Sequence, residues 1–382
     1  MKKVLMGTTA LLAGGLLSDQ ALADDDGIKL SLGGFFRTAI EGNIEGGNSE
    51  LSHGHDSDSV DSDAEIYFLG KTTLDNGLTA GVRVELEGEQ DNDQIDAAYI
   101  YFQGGFGEVR IGSQGGALAT MCVTPVGGTA NFGAFSQDQV INNAFGNGYS
   151  NGVCNSVDGF GLNIPEDGNK AQKVLYMTPN FGGFQLGLSW SPNGGHEFTG
   201  VTDFHSGQPT VEDGEQRNVV DAYATYTRDF DGWSLQSGLG GSWALSVGGN
   251  GSGVKQNDYY QAGLNLTFGG FSIGAAGEYY HNFAHFVDDN ENGNGLVVGG
   301  GMAYNVDAWT VGFQYSYGDW QFTDSGVDRW INTAALTGKY ALGPGIALDS
   351  TVQYTWANGD DGDAANGKYR AVSLGLGTSF TF

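Results

Sequence analysis

Three kinds of residue are scarce in this chain, and each shortage excludes a class of protein. Only 6 of the 382 residues are proline and 2 are cysteine, while 16 Lys and Arg stand against 45 Asp and Glu, for a net charge of −29. So little proline excludes a collagen, although 66 residues are glycine. The shortage of basic residues excludes a nucleic-acid partner, because no basic surface is available to displace phosphate counterions. An aromatic content of 12% is too high for a disordered protein.

Long apolar runs are also missing, except at the N-terminus. Lys2 and Lys3 precede an apolar stretch over residues 4–17, and Ala21-Leu22-Ala23 is a small-x-small cleavage site. This pattern predicts a cleaved secretory signal peptide over residues 1–23. No later window approaches the roughly 18 consecutive apolar residues of a membrane helix, so a helical span is excluded. A secreted soluble enzyme and a membrane β-barrel both remain open at this point.

Alternating apolar and polar residues fill segments of roughly ten residues, which is typical of strands with one apolar face. In the first segment the apolar face carries Ile28, Leu30, Leu32, Phe36 and Ile40. The polar face carries Lys29, Ser31, Arg37 and Glu41.

The connections between these segments alternate in length. Seven short ones contain Gly, Asn, Asp or Pro, which tolerate turn dihedrals: 75–77, 104–107, 180–183, 229–232, 268–270, 305–308 and 342–345. Eight long ones are hydrophilic and mostly acidic: 42–64, 87–95, 113–170, 191–217, 246–258, 281–295, 318–328 and 357–368. Such connections join sixteen strands, with all long loops at one end. A transmembrane antiparallel β-barrel requires this organisation, and its closure leaves no unpaired backbone group in lipid.

Aromatic residues flank successive short turns, which favours the same architecture. They occur as pairs on the two sides of a turn: Phe102 and Phe106, Phe181 and Phe184, Phe230 and Trp233, Phe268 and Phe271. Rings with an apolar body and one end in the headgroup region form the interfacial girdle of membrane barrels. We therefore predict an all-β fold in which residues 24–382 form one transmembrane β-barrel domain of sixteen strands.

Four segments, taken in order, resemble the Gram-negative general (diffusion) porins. They are Asp96–Phe102 followed by Gly105–Gly112, the turn Leu74–Leu78, and the closing stretch Leu342–Phe382 with its terminal phenylalanine. The resemblance implies a homotrimer of sixteen-stranded barrels in the outer membrane, in contact with membrane lipids and lipopolysaccharide. It implies passive diffusion of ions and small hydrophilic solutes, and a third loop folded into the pore. Here that loop is 113–170, the longest connection.

Strand alternation nominates the pore lining. If Phe36, Val82 and Val109 face lipid, five basic residues face the lumen: Arg37, Arg83, Arg110, Lys71 and Lys29. We expect them to form a basic wall opposite acids on the inward loop, giving a transverse field across the constriction. The alternative is that they are ordinary lumen residues in channel water.

The inward loop departs from the family pattern. Relatives often carry a Pro-Glu-Phe-Gly-Gly-Asp stretch at its tip, whereas residues 130–135 here contain no acid. The constriction residues are therefore expected among Asn131, Phe132, Asp138, Asp158, Glu166 and Asp167. The cation selectivity that the net charge suggests is put in doubt by this departure.

Cys122 and Cys154 both lie in this loop. In an oxidising compartment the simplest interpretation is one disulfide, which stabilises a loop of this size by roughly 3–4 kcal/mol in the chain-entropy model. Neither cysteine has a Cys or His neighbour at ligand spacing, so a metal pair is not expected.

No cofactor and no specific metal site are predicted. Loop 42–64 mixes histidines and acids (His53, His55, Asp56, Asp58, Asp61 and Asp63), and 288–293 resembles half of a calcium loop, but Gly299 stands where its bidentate Glu belongs. We expect at most loosely bound Ca²⁺ or Mg²⁺ that bridges acidic outer loops to lipopolysaccharide.

An enzymatic role is not expected either. Residues 270–274 match G-x-S-x-G, but they follow a short turn and enter a strand instead of forming a strand-to-helix elbow. The main rival is a solute-specific porin for a sugar or an anion such as phosphate, whose signature is an aromatic track or a basic ladder in the pore. An adhesin or an outer-membrane hydrolase barrel is a further alternative.

Overall fold

The computed structural model describes residues 27–45, 58–88, 95–135, 162–163, 170–194, 216–248, 255–285, 291–322, 328–359 and 367–382. The predicted signal peptide lies outside these residues. They form strands β1 (Lys29–Glu45), β2 (Asp58–Thr73), β3 (Thr79–Glu87), β4 (Ile95–Gly104), β5 (Gly107–Ser113), β6 (Leu162–Asn163), β7 (Gln172–Met177), β8 (Phe184–Asn193), β9 (Gln216–Phe230), β10 (Trp233–Val247), β11 (Asp258–Phe268), β12 (Phe271–His285), β13 (Glu291–Val306), β14 (Trp309–Phe322), β15 (Asp328–Gly343), β16 (Ile346–Gly359) and β17 (Gly367–Thr381), and one short helix, α1 (Ala117–Met121). None of the helical structure in these ranges is long and apolar enough to span a membrane.

Sixteen of the strands close into one antiparallel ring. Consecutive strands pair with each other, β5 pairs with β7, and β1 pairs with both β2 and β17. The short strand β6 lies outside the ring order and pairs only with the end of β12, at Ala284 and His285. The sixteen-stranded barrel predicted from the alternating connections is therefore confirmed, with β6 as an addition that alternation does not reveal.

The two faces of the ring have opposite chemistry. On β1 Ile40 is 64% exposed on the outside, whereas its neighbours Ala39 and Glu41 are 1% and 2% exposed on the inside. Because side chains alternate along a strand, the same rule applies around the ring, where the large exposed residues are Leu, Ile, Val and aromatic. An apolar exterior around a polar interior is the arrangement that lipid requires.

All seven predicted turns join neighbouring strands. Rings flank them at the barrel edge: Phe230 stacks on Trp233 with centroids 4.1 Å apart, and Trp309 lies 4.5 Å from Tyr340. Gly77 and Gly232 adopt positive φ values of 81° and 88°, which residues with a Cβ rarely reach.

Apart from the connection between β5 and β7, the long connections are shorter than the sequence indicated. The first was expected over 42–64, but β1 continues to Glu45 and β2 begins at Asp58, with Gly42 still paired to Asp58. The connection expected over 281–295 likewise shrinks to 286–290. Strand pairing needs only backbone groups, so the ladder continues past the apolar band, where hydrophobic alternation gives no signal.

One described segment, residues 114–135, leaves the wall after β5 and lies against inward-facing side chains of the opposite strands. We call it the lumen segment. It begins with α1, where the Ala117 backbone N–H donates to Ser189 Oγ on β8 at 2.9 Å. It then passes β11, where Gln261 Nε2 donates to the Val123 carbonyl at 3.0 Å. It reaches β16, where Asn131 Nδ2 donates to Asp349 Oδ2 at 2.8 Å.

Inward-facing glycines mark the path of the lumen segment along the wall. A Cβ at Gly263 would clash with the Val123 carbonyl oxygen, and a Cβ at Gly301 would clash with that of Val126. Gly312 and Gly375 are equally close to Gly127 and Phe132. Glycine inside a strand often marks a close backbone approach, and here four strands use it for one segment.

Candidate functional site

Arg37 lies on the inner face of β1, between the wall and the lumen segment. Its Nε donates to Asp63 Oδ2 at 2.6 Å, and its Nη1 donates to the Ala130 carbonyl at 3.0 Å. The guanidinium carbon is 5.0 Å from the centroid of the Phe35 ring. Its charge is therefore shared between a carboxylate on β2 and the backbone of the lumen segment.

Arg83 and Arg110 have the same kind of surroundings on β3 and β5. Arg83 forms an ion pair with Glu85 and lies 4.2 Å from the Tyr67 ring centroid. Arg110 pairs with Glu108 and lies 5.2 Å from the Tyr99 ring centroid. Each acid is two residues from its arginine on the same strand, so both side chains share the inner face.

Strand register joins these groups into one surface. Arg83 is paired with Tyr99 across β3 and β4, and Tyr101 is paired with Arg110 across β4 and β5. Cationic guanidinium groups and tyrosine rings therefore alternate around four neighbouring strands, with cation–π attraction between Arg83 and Tyr67 and between Arg110 and Tyr99. We call Tyr67, Arg83, Tyr99, Tyr101 and Arg110 the arginine–tyrosine wall.

The two predicted lysines occupy a different position. Lys29 and Lys71 are direct cross-strand partners at the short-turn end of β1 and β2, and both are exposed. In the part of the chain that the structure describes, neither takes part in an ion pair. They lie at the mouth of the barrel, apart from the three arginines.

Acids near the wall were missed by the sequence reasoning. Carboxylate oxygens of Glu65, Glu85 and Asp96 lie within 4.8 Å of one another, and Lys170 forms an ion pair with Asp96. Burial by itself lowers the pKa of Lys170, but the nearby Asp96, Glu85 and Glu65 carboxylates outweigh it and raise that pKa above its ordinary value. Strand parity would have found Glu85 and Glu108, because each is two residues from an arginine already placed on the inner face.

Of the predicted loop residues, Asn131 and Phe132 are described, and both are fully buried. Asn131 contacts Asp349 on β16, and Phe132 lies against Gly375 on β17. Both therefore contact the far wall, away from Arg83 and Arg110. The other four, Asp138, Asp158, Glu166 and Asp167, lie outside the described residues.

Cys122 follows α1 directly and is not a free thiol. Its predicted partner Cys154 lies outside the described residues, so the pairing stays a prediction.

Side-chain amides on the far wall were also missed. Gln314 on β14 binds three backbone groups of the lumen segment: its Nε2 donates to the Pro125 and Val126 carbonyls at 3.1 and 3.2 Å, and its Oε1 accepts from the Ala134 N–H at 2.7 Å. Asn265 donates to the Thr124 carbonyl at 2.8 Å. The sequence signal for these anchors of the lumen segment is an uncharged polar residue at an inward position of a strand.

The closed antiparallel ring, its apolar exterior and its charged interior define a transmembrane β-barrel of the outer-membrane type. A family model described as "Gram-negative porin" matches residues 7–378. The chain therefore belongs to the Gram-negative porin family, whose place is the bacterial outer membrane.

Two curated relatives are similar over part of their length. The chain is 26% identical over 214 residues to the "Monosaccharide porin" of a Halomonas species, which covers 53% of this chain and 52% of the relative. The "Major outer membrane protein" of Halomonas elongata matches to the same extent. The chain thus spans about half the length of these relatives.

Solved structures share the fold at low identity. OmpT, an outer membrane protein of Vibrio cholerae, in its loop L8 deletion form, matches with a TM-score of 0.59 at 13% identity, covering 94% of this chain and 100% of that one. The anion-selective porin from Comamonas acidovorans matches with a TM-score of 0.54 at 16% identity, covering 93% and 100%. At these identities the similarity concerns the barrel alone.

Proposed function

We propose that this protein forms a water-filled channel through which ions and small hydrophilic solutes diffuse passively across the outer membrane. The observation that carries the proposal is the charged inner face of a closed ring whose outer face is apolar. Purified trimers or monomers added to a planar bilayer should give stepwise, ohmic openings. A barrel that is folded, as judged by heat-modifiable gel mobility, yet never conducts would overturn the proposal and favour an adhesin or hydrolase barrel.

We also propose that loop 113–170 narrows the pore and that Arg37, Arg83, Arg110, Lys71 and Lys29 tune its ion preference. Contacts of the lumen segment with β8, β11, β14 and β16 support the first part. Because each arginine has a carboxylate partner, removing an arginine also leaves an acid unpaired at the wall. The reversal potential under a KCl gradient measures the resulting preference.

A channel that favours monosaccharides is the second candidate. The arginine–tyrosine wall supports it, since paired guanidinium and carboxylate groups offer adjacent donors and acceptors, and tyrosine adds hydroxyl groups beside apolar rings. The printed name of the Halomonas relative points in the same direction. A hexose should reduce the single-channel current in a saturable way, and Tyr99→Ala should abolish the saturation. If a hexose and a linear polyol of similar size reduce the current equally, the channel has no preference for monosaccharides and only the general channel is supported.

A homotrimer in contact with lipopolysaccharide is the proposed assembly. A trough on the outer face of β14–β17 and β1 supports a close neighbour, because the small residues Gly338 and Ser350 lie in register beside Leu376, and Gly42 lies beside Leu374. Ser350→Cys should form cross-links between subunits, and native mass spectrometry should give three chains. A monomeric mass in detergent that preserves the fold would contradict the homotrimer.

Acidic outer loops are proposed to hold Ca²⁺ or Mg²⁺ only loosely, as bridges to lipopolysaccharide.

We infer no catalytic role for the G-x-S-x-G match. Ser272 opens β12 beside a short turn and shares a hydrogen bond with Thr267 at 2.9 Å. His281 lies nine residues further along the same strand, roughly 30 Å away at the rise of a β-strand. A nucleophile and a base at opposite ends of the wall cannot exchange a proton.

The signal peptide is proposed to be removed before residue 24. N-terminal sequencing of protein extracted from outer membranes should begin at Asp24. A sequence that begins at Met1 would contradict the processing.

A further inference from the structure

Four oxygen-bearing side chains lie together on the inner face where β1 and β2 approach the long-loop end. Glu41 is the direct cross-strand partner of Ser59, and Ala39 is the partner of Asp61. Asn43 follows Glu41 at the next inward position of β1. Cross-strand and diagonal neighbours on one face are separated by only about 5–8 Å, so Ser59, Asp61 and Asn43 each lie next to Glu41, while Asn43 and Asp61 lie on opposite sides of it. We call Glu41, Asn43, Ser59 and Asp61 the oxygen cluster.

The oxygens of this cluster are buried without a partner. Among the residues that the structure describes, both carboxylate oxygens of Glu41, Oδ1 of Asn43, Oγ of Ser59 and Oδ2 of Asp61 have no hydrogen-bond partner. Glu41 is only 2% exposed. A buried carboxylate without a donor or a counter-charge is strongly unfavourable, and a second carboxylate beside it adds repulsion. The cluster therefore needs a positive partner, either a proton or a metal cation.

The neighbouring protein cations are committed elsewhere. Arg37, four residues before Glu41, binds Asp63 and the Ala130 carbonyl. In the described ranges, the ion pairs made by arginine or lysine involve Asp63, Glu85, Asp96 and Glu108, and none includes Glu41 or Asp61. Because no cation of the described residues pairs with the cluster, we look to solution for the positive charge.

A second acidic group in the barrel provides a useful contrast. Glu65, Glu85 and Asp96 bring three carboxylates together, but Lys170 pairs with Asp96 and Arg83 pairs with Glu85. That group has its counter-charges within the protein. The oxygen cluster has two carboxylates and, within the described part of the chain, no such cation.

We propose that the oxygen cluster binds a Ca²⁺ ion between the Glu41 and Asp61 carboxylates and the Ser59 hydroxyl. Carboxylate, amide carbonyl and hydroxyl oxygens are ligands suited to Ca²⁺, which accepts six to eight oxygens in flexible geometry, whereas Mg²⁺ demands a near-ideal octahedron and retains several waters. Two carboxylates match the charge of the ion, and channel water completes its shell. The ion would join β1 to β2 next to Gly375 of β17, against which Phe132 of the lumen segment packs.

The test uses the full-length folded protein in detergent, titrated with CaCl₂ while the temperature of the heat-modifiable mobility shift is recorded. We expect stabilisation that saturates with a dissociation constant on the order of 0.1–1 mM, as in extracellular calcium modules. Glu41→Gln and Asp61→Asn should each weaken this binding at least about tenfold, because each removes one of two charged ligands. Ser59→Ala removes one neutral ligand, should weaken binding less, and covers the case in which a charge variant does not refold.

Asp58→Asn is the matched control. Asp58 is an exposed acid on the same strand, three residues from Asp61, and its pairing with Gly42 places it on the outer face. It should keep the calcium response of the parent protein, which also separates the cluster from Ca²⁺ bound loosely at the outer loops. An unchanged response in Glu41→Gln and Ser59→Ala, no calcium response in the parent protein, or an equal response to Mg²⁺ would overturn the proposal.

Discussion

The two halves of the barrel interior have different chemistry on the same strand scaffold. The half formed by β1–β5 carries arginines, acids and tyrosines, and each of its three arginines is paired with a carboxylate. The half formed by β8–β17 carries amides and hydroxyls that donate hydrogen bonds to the backbone of the lumen segment. It also carries glycines that let this backbone approach the wall. A polar inner face can thus either keep its side chains available to channel water or use them to hold another part of the chain.

The difference follows from what each group can satisfy. A carbonyl or N–H of the lumen segment needs a neutral donor or acceptor at close range, which Gln261, Asn265 and Gln314 supply. A charged group there would need its own counter-charge. Arg37, Arg83 and Arg110 accordingly lie on β1–β5, where the described lumen segment accepts a hydrogen bond from Arg37. The other half holds buried acids instead: Asp221, Glu278 and Asp349 on β9, β12 and β16.

The largest effect is expected from Gly301→Leu. Its side chain would occupy the position of the Val126 carbonyl oxygen, so the lumen segment must leave the wall. Single-channel conductance should rise by about twofold or more, because a constriction controls the resistance of a pore. The control is Gly105→Ala, where a Cβ would meet no atom within 4 Å. Unchanged conductance in Gly301→Leu would show that the segment does not limit the current.

The next effect tests the charged half. Arg83→Ala combined with Arg110→Ala leaves Glu85 and Glu108 without their partners, so the wall becomes acidic. The cation-to-anion permeability ratio should rise by roughly threefold or more, as measured by reversal potential in a KCl gradient. Arg228→Ala is the control, since Arg228 is an exposed arginine beside Phe230 at the barrel edge. If the permeability ratio of Arg228→Ala changes by the same amount, the arginine–tyrosine wall does not set the ion preference.

A smaller effect tests the other half. Asn131→Ala removes the donor that reaches Asp349, leaving a buried carboxylate with fewer hydrogen bonds. The free energy of unfolding should fall by about 1–3 kcal/mol, measured by urea titration in lipid vesicles. The open channel should also fluctuate more, as the segment loses an anchor. If neither stability nor current noise changes, the contact does not hold the segment.

The smallest effect is expected from Lys29→Ala. Lys29 is exposed at the short-turn end, next to Lys71, so its charge is screened by salt. The change in reversal potential should be detectable at about 0.1 M KCl and vanish near 1 M, where the Debye length is roughly 3 Å. A salt-independent change as large as that of the double arginine variant would place Lys29 in the constriction and erase the contrast between the mouth and the wall.

Much of the site was accessible from the sequence, but the partners were not. Parity alone placed Arg37, Arg83 and Arg110 on the inner face, because side chains alternate on any strand. Parity also places Glu85 and Glu108 on the inner face, since each is two residues from an arginine on the same strand. The contact between Arg37 and the Ala130 carbonyl joins residues 93 positions apart, and no local pattern encodes it.

The sequence by itself determined the number of strands in the ring, the seven turns and the direction of side chains along the regular parts of the strands, since these depend on local alternation and on turn residues that act within a few positions. Only the tertiary structure decided where the strands end beyond the apolar band, which carboxylate neutralises which arginine, and which glycines make room for the lumen segment. Those features depend on which residues closure of the barrel brings together across the lumen. A one-dimensional pattern carries no information about such distances.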